Sequence, residues 1–248
     1  MQWRVAVTHD DIDGSVHAAL ENAGFVPVSC PVLQQGPAPD PRRLEIEARR
    51  LETYDWVICS SVRSVRALSE ARRSQWPPHT RTAAVGSVTA AAMTAAGASQ
   101  PIVADTFTAA ALWEKLKALD AWRDRTVLVA TVAGGRRDLI DGLMRAGAKV
   151  TELEAYRMLP RDASAIRADW ADAHPDAVIL GSAATAAHLV EAVGVDALSE
   201  LHSIVPIGPT TAMALRERGI AAAPPSQATF AAVIERLIVR RQQSQSPA

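Results

Sequence analysis

The chain repeats itself, and that duplication constrains its fold more than any other feature. Arg4-Val5-Ala6-Val7-Thr8 is followed by a stretch of helical period and then Ala23-Gly24-Phe25-Val26. Thr126-Val127-Leu128-Val129, starting 122 positions after Arg4, is likewise followed by a helical stretch and Ala146-Gly147-Ala148-Lys149-Val150. Asp55-Trp56-Val57-Ile58-Cys59-Ser60-Ser61 corresponds to Asp176-Ala177-Val178-Ile179-Leu180-Gly181-Ser182. Val85-Gly86-Ser87-Val88-Thr89-Ala90 corresponds to Ile207-Gly208-Pro209-Thr210-Thr211-Ala212, and both copies run through a helix to a further glycine, Gly97 and Gly219. Matched landmarks in one order are the mark of a repeated supersecondary unit.

Short β-branched runs alternate with alanine- and leucine-rich stretches of helical period, which predicts an α/β fold with parallel sheets covered by helices. The strand candidates are Arg4–Thr8, Phe25–Cys30, Trp56–Ser60, Thr82–Val85, Thr126–Ala130, Lys149–Leu153, Ala177–Leu180 and Ile204–Ile207. Turn-rich stretches at Pro31–Pro41 and near Pro160–Ala163 are the linker candidates. They do not divide the chain at its middle. The expected division is one domain of 1–33 and 162–239, a second of 42–155, and linkers at 34–41 and 156–161. The polar tail 240–248 is expected to be disordered.

Of the 248 residues, 48% are hydrophobic and 21% charged, with a formal net charge of −1, a balance that excludes a broad basic face for nucleic acid. Positive charge rests almost wholly on arginine, whose forked guanidinium suits carboxylates. Cys30 and Cys59 sit in apolar, strand-like runs with no Cys-x-x-Cys or Cys/His cluster, so neither a disulfide framework nor a zinc site is expected. A strand begins almost at Met1 without a signal-peptide pattern, and no apolar run reaches the roughly 18 residues of a membrane span. The expected location is the cytoplasm.

In open α/β sheets ligands bind beyond the carboxyl ends of the strands, and the repeated landmarks fall at those places. Gly86-Ser87-Val88-Thr89 and Gly208-Pro209-Thr210-Thr211 each join a strand to a helix, where free amides and the helix dipole favour anions. They read equally as ordinary helix caps. The same two readings apply to Ser60-Ser61-Val62-Arg63 and Gly181-Ser182, Arg63 being a solvated helix arginine or an anion ligand. Gly134-Gly135-Arg136-Arg137 is an anion cradle or a tight turn with solvated charges. It does not match the dinucleotide pattern Gly-x-Gly-x-x-Gly, so NAD and FAD are not supported. Tyr156, at a domain junction, can donate a proton to a departing hydroxyl or can simply pack. The six histidines form no ligand-spaced pair, and there is no Gly-x-Ser-x-Gly nucleophile motif.

The order Asp55–Val65, Val85-Gly86-x-x-Thr89-Ala90, Gly135-Arg136-Arg137, Tyr156 and Ile207–Ala212 resembles the uroporphyrinogen-III synthase family, over the chain to about residue 239. The resemblance implies two flavodoxin-like parallel-sheet domains joined by a two-strand linker, the central block being inserted in the terminal domain. It implies a deep cleft and no cofactor. The implied activity is a cyclising lyase that turns hydroxymethylbilane, with its eight carboxylates, into uroporphyrinogen III, losing water and inverting ring D through a spiro intermediate. Tyr156 matches a family tyrosine proposed as proton donor, and the family's threonine after the second glycine loop maps to Thr210 or Thr211. The expected substrate-binding set is Ser61, Arg63, Gly86, Ser87, Thr89, Arg136, Ser182, Gly208, Thr210 and Thr211. His9 stands where the family commonly has arginine, and Gly181 precedes Ser182 where a hydroxyl residue is often found. Expected partners are the substrate and, transiently, the preceding enzyme of the pathway; the chain is expected to be a monomer that binds neither nucleic acid nor membrane. The rival readings are a non-catalytic synthase-like protein that binds or senses an anionic ligand, and a nucleotide-dependent α/β enzyme.

Overall fold

The computed structural model describes residues 2–11, 14–105 and 108–245. In chain order the elements begin β1 (Arg4–Val7), α1 (Ser15–Asn22), β2 (Val26–Ser29), β3 (Leu33–Gly36), α2 (Pro41–Arg49), β4 (Trp56–Cys59), α3 (Val62–Arg72), β5 (Arg81–Ala84), α4 (Ser87–Ala95), β6 (Ile102–Val103) and α5 (Ala109–Leu116). They continue β7 (Thr126–Val132), α6 (Asp138–Arg145), β8 (Lys149–Pro160), α7 (Ala163–Ala173), β9 (Ala177–Leu180), α8 (Ala183–Val193), α9 (Val195–Ser199), β10 (Ser203–Pro206), α10 (Pro209–Arg216) and α11 (Phe230–Gln245). The chain forms two compact units, one from the segments up to Gln34 and from Leu159 onward, the other from Gln35–Met158.

The first unit holds a four-stranded sheet of order β10-β9-β1-β2, all parallel. The second holds a six-stranded sheet of order β3-β8-β7-β4-β5-β6, parallel from β8 through β6. The mixed α/β architecture with parallel sheets is the one the sequence pattern implies.

The duplication extends to strand register. In the first sheet Val5 faces Ala177 and Val7 faces Ile179; in the second Val127 faces Trp56 and Val129 faces Ile58. These are the same partners after translation by the repeat. In each case one strand of the pair comes from the first copy and the other from the second. An aspartate fastens both pairs in the same way. Asp176 Oδ2 accepts from the Arg4 amide at 2.7 Å, and Asp55 Oδ2 accepts from the Thr126 amide at 2.8 Å. The backbone reciprocates, Asp176 N donating to Arg4 O at 2.8 Å and Asp55 N to Thr126 O at 3.0 Å.

Helices cover both faces of each sheet, so central strands are buried on both sides and read as continuous apolar runs. Along β4, Trp56 and Ile58 enter one core while Val57 and Cys59 enter the other. Along β1, Val5 and Val7 face α1 and α11, while Ala6 faces the core that contains α7 and α8.

Three features differ from the sequence expectations. First, β3 and β6 are additional strands: β3 lies in a stretch read as a linker, and β6 has two residues, too few to show a period. The positions 122 after Ile102 and Val103 are Pro224 and Pro225, which lack amide donors; no strand forms there. Second, β8 continues well past Leu153, to Pro160, so Tyr156 lies within a strand. Third, helical order does not stop at residue 239, because α11 runs to Gln245. The reason is Arg241, which donates to Gly24 O at 2.7 Å and Ala23 O at 3.1 Å, with its guanidinium 4.2 Å from the Phe25 ring centroid. Polar composition hid this anchor. Residues 246–248 of the expected tail lie outside the described residues.

The Asp55 carboxyl is held below the usual carboxylate range, chiefly by the Thr126 amide, against a burial effect that raises it and with help from the Thr126 hydroxyl and Arg125. A carboxyl lowered on folding stabilises the fold above its unfolded value of about 3.9, and loses that contribution as pH falls through the lower folded value. Asp55→Ala should therefore cost about 1 kcal/mol at pH 7, a charged hydrogen bond discounted for a partly exposed group. Denaturant melts should show the gap from the parent closing at low pH; an equal gap at pH 7 and pH 3 would count against the fastening role. Arg241→Ala should destabilise by about 1 kcal/mol, with hydrogen exchange accelerating first in the last turns of α11; unchanged protection there would mean that the helix end is held by something else.

Candidate functional site

The candidate residues cluster at the carboxyl ends of the parallel strands, where direction alone puts every strand-to-helix turn on one edge of its sheet. In the second unit, Ser61 follows β4, Gly86 follows β5, Gly134 and Gly135 follow β7, and Tyr156 lies on β8.

Ser61 is the N-cap of α3, in extended backbone (φ −159°, ψ 162°), and its Oγ accepts from the Ser64 amide at 3.3 Å. Ser64 answers as in a capping box: its hydroxyl accepts from the Ser61 amide at 3.2 Å and donates to the Ser61 carbonyl at 2.7 Å. Ser61 Oγ also donates to Tyr156 Oη at 3.1 Å, which joins two residues 95 positions apart. Tyr156 reaches this cap because β8 carries a bulge. Thr131 pairs with Glu154, but Val132 pairs with Tyr156, so Ala155 is the extra residue. Regular alternation would put Ala155 and Tyr156 on opposite faces. The bulge turns both towards the core lined by Val65 and Leu68 of α3, and Tyr156 is left 5% exposed.

Gly86 and Gly208 are the N-caps of α4 and α10, and neither helix has a side-chain hydrogen bond at its cap. Ser87 and Thr210 are exposed in the first turns, whereas Thr89 and Thr211, equivalent under the repeat, are 6% and 1% exposed. Pro209 occupies the first helical position of α10, where no amide hydrogen is needed. A Cβ on Gly208 would meet Ala228 Cβ at 3.4 Å, an ordinary contact, and its φ of −159° suits any residue.

In the first unit, Ser182 caps α8 with the same backbone as Ser61 (φ −158°, ψ 160°) and accepts from the Thr185 amide at 3.1 Å. Its hydroxyl lies 2.8 Å from Thr185 Oγ1. His9 stacks on Phe230, ring centroids 4.8 Å apart.

In the glycine–arginine turn after β7 both glycine amides are already taken. Gly134 N donates to Glu154 Oε1 at 3.0 Å and Gly135 N to Val132 O at 3.0 Å. A carboxylate of the protein already sits where an anion would. Arg137 pairs with Glu152 and Asp141, while Arg136 is exposed. A Cβ on Gly135 would come within 3.0 Å of Val132 O, so glycine serves the turn itself. Arg63 is half-buried in the first turn of α3. Of the expected residues, Ser61 and Tyr156 are brought into contact. Gly86, Ser87 and Thr89 form one helix end, Gly208, Thr210 and Thr211 another. Sequence reading missed Ser64 and Glu154. The first had a signal, a hydroxyl three residues after a serine, echoed by Thr185 after Ser182; the second had none.

Burial pushes the Cys30 thiol up to about 11 and raises the wholly buried Cys59 as well, so neither is a nucleophile near neutrality. Among the described residues there is no group of three or more His, Cys, Asp or Glu suited to a metal, and no helix long and apolar enough to cross a membrane. A hollow of about 420 Å³ in the second unit sets Asp40, Glu152 and Glu154 against Arg43 and Arg137, too many carboxylates for a polyanion site.

Residues 14–235 match the family model described as uroporphyrinogen-III synthase HemD. Among solved structures, uroporphyrinogen-III synthetase from Helicobacter pylori is 16% identical, covering 96% of this chain and 99% of that one, with a TM-score of 0.61. A mutant uroporphyrinogen III synthase from the extremely thermophilic bacterium Thermus thermophilus is 21% identical, covering 97% of this chain and 99% of that one, with a TM-score of 0.54. At these identities the structures share the fold. A search of curated proteins finds no match.

The two serine caps make a stability prediction independent of function. Ser61→Ala and Ser182→Ala should each lower unfolding free energy by about 1 kcal/mol, read from denaturant midpoints at unchanged m-value; a cost near zero at either would show that the hydroxyl is not capping.

Proposed function

The chain belongs to the uroporphyrinogen-III synthase family, and on that premise we propose how its residues carry out the family's reaction, the cyclisation of hydroxymethylbilane to uroporphyrinogen III with loss of water. The class is a cyclising lyase of tetrapyrrole synthesis. The finer fold reading is two flavodoxin-like domains joined by a two-strand linker. Its support is the strand order. Numbered from β1, the first sheet runs 2-1-3-4; numbered from β7, the strands β8-β7-β4-β5-β6 run 2-1-3-4-5, the flavodoxin order.

The observation that carries the binding part is the repeated pair of glycine-capped helix ends, Gly86 and Gly208, whose first-turn amides have no side-chain cap. Such ends favour carboxylates. Each contact contributes about 0.3–1 kcal/mol when exposed, against the roughly 8 kcal/mol that micromolar affinity requires. Binding is therefore spread over several groups: the α4 and α10 ends, Ser87, Thr89, Thr210 and Thr211, the Ser182 turn, and the guanidiniums of Arg63 and Arg136.

Tyr156 is the proton donor. Its phenol proton passes to the terminal hydroxyl of the bilane as the carbon–oxygen bond breaks, pushed by the pyrrole nitrogen's lone pair, and water leaves. The cation attacks the substituted carbon of ring D, the spiro intermediate reopens and closes, and the proton shed at closure returns to the phenolate. The pyrrole supplies most of the driving force, so the protein needs one modest acid and, above all, control of the substrate's conformation. Without that control the bilane closes to the symmetrical isomer I.

The test is direct: supply hydroxymethylbilane, oxidise the products and separate the isomers. Predominantly isomer III is expected, and isomer I alone at the spontaneous rate overturns the proposal in favour of a non-catalytic relative. Tyr156→Phe should lower kcat about 100-fold, the low end for general acids, with KM little changed. Single changes in the two glycine loops should raise KM several-fold without abolishing turnover; one that stopped the reaction in a folded protein would contradict distributed binding.

A further inference from the structure

We propose that Ser61 is a positioning residue for Tyr156 rather than a ligand for the substrate: its hydroxyl proton is committed to the phenol oxygen, leaving the phenol's own proton aimed outward for donation. This rests on the reading of Tyr156 as the proton donor.

The hydrogen-bond inventory around the α3 cap assigns the proton. A serine hydroxyl has one proton and two acceptor positions. Ser61 Oγ lies 3.3 Å from both the Ser64 amide and the Ser64 hydroxyl. The amide can only donate, so it fills one acceptor position of Ser61. The Ser64 hydroxyl is spent on the Ser61 carbonyl at 2.7 Å. The Ser61 proton goes to Tyr156 Oη at 3.1 Å, nearer than Ser64 Oγ at 3.3 Å, which already accepts from the Ser61 amide. Tyr156 Oη then receives a hydrogen bond, and among the described residues its own proton meets no acceptor. A Ser61 held in this way has no donor left for a carboxylate.

Two further observations support the assignment. The bulge at Ala155 adds one residue to β8 at the point where the tyrosine would otherwise turn to the opposite face. Bulges at such places re-aim a side chain. The second copy of the repeat is an internal control. Ser182 has the same cap and backbone angles, yet among the described residues its hydroxyl pairs with Thr185. The cap is thus common to both copies, and the phenol contact belongs to one. When Tyr156 releases its proton to the departing hydroxyl, charge grows on Oη, and a donor already in place stabilises it without rearrangement. The phenolate later recovers the proton shed at ring closure, so Ser61 neither gains nor loses one.

The experiment compares Ser61→Ala, Ser61→Gly and Ser61→Thr with Thr108→Ala, which removes the cap of α5 in the same unit without touching Tyr156. Glycine is an acceptable N-cap without a hydroxyl, so it guards against simple unfolding. Ser61→Ala and Ser61→Gly should lower kcat about tenfold with KM unchanged, Ser61→Thr should restore most of it, and Thr108→Ala should leave kcat at the parent value. In a Tyr156→Phe background, Ser61→Ala should cost less than twofold. A loss in KM rather than kcat, or a full tenfold loss in the Phe background, overturns the positioning role. Full activity in Tyr156→Phe overturns the donor reading itself, whereas a loss there with none in Ser61→Gly overturns only the part given to Ser61. A readout free of turnover comes from the chain's two tyrosines. With Tyr54→Phe, the single labelled ring carbon bearing the phenol oxygen should shift in ¹³C NMR on Ser61→Gly, and an unmoved resonance means that the hydrogen bond is absent.

Discussion

Each sheet is held at its centre by a strand pair drawn from different copies of the repeat, and every other placement follows from that pairing. β1 lies beside β9, and β7 beside β4, in the same register, each fastened at its start by an aspartate whose carboxylate takes the first amide of the neighbouring strand. The first copy supplies β1 and β4, the second β7 and β9. Neither copy contains a complete sheet, so neither half of the chain buries its apolar strands alone. The pairing is long-range and costs loop entropy before any contact forms, and an unpaired aspartate beside a bare amide would add to the loss.

Parallel pairing has a chemical consequence. The strands from β10 to β2 in one sheet and from β8 to β6 in the other run the same way, so the turns that lead into helices share an edge, and the helix ends there present amides together. The exchange of strands between copies also decides which residues meet. Ser61 comes from the first copy and Tyr156 from the second, yet they are neighbours because β4, β7 and β8 are adjacent.

The two copies have diverged where chemistry differs and stayed alike where the backbone needs them. The serine caps match in angle and in partner. Their hydroxyls do not, one meeting Tyr156 and the other Thr185. Pro224 and Pro225 stand where β6 stands in the other copy, and without amides they cannot extend the ladder, so one sheet ends a strand earlier. Glu154 fills the amide of Gly134, so that amide is closed to a ligand while Arg136 of the same turn stays exposed.

The sequence by itself determined the repeat, the alternation of strands and helices, and the turns at Ser61, Gly86, Ser182 and Gly208. Local periodicity and capping chemistry act over a few residues and leave their mark in any window. Only the tertiary structure decided that Tyr156 faces α3, because a bulge breaks the alternation from which a side chain's direction is read and has no signature of its own. It alone decided that Arg241 orders the last helix and that Glu154 closes the glycine turn. Both depend on groups distant in the chain, a carbonyl at Gly24 in one case and a neighbouring strand in the other, and a short-range pattern carries no information about which distant partner will be present.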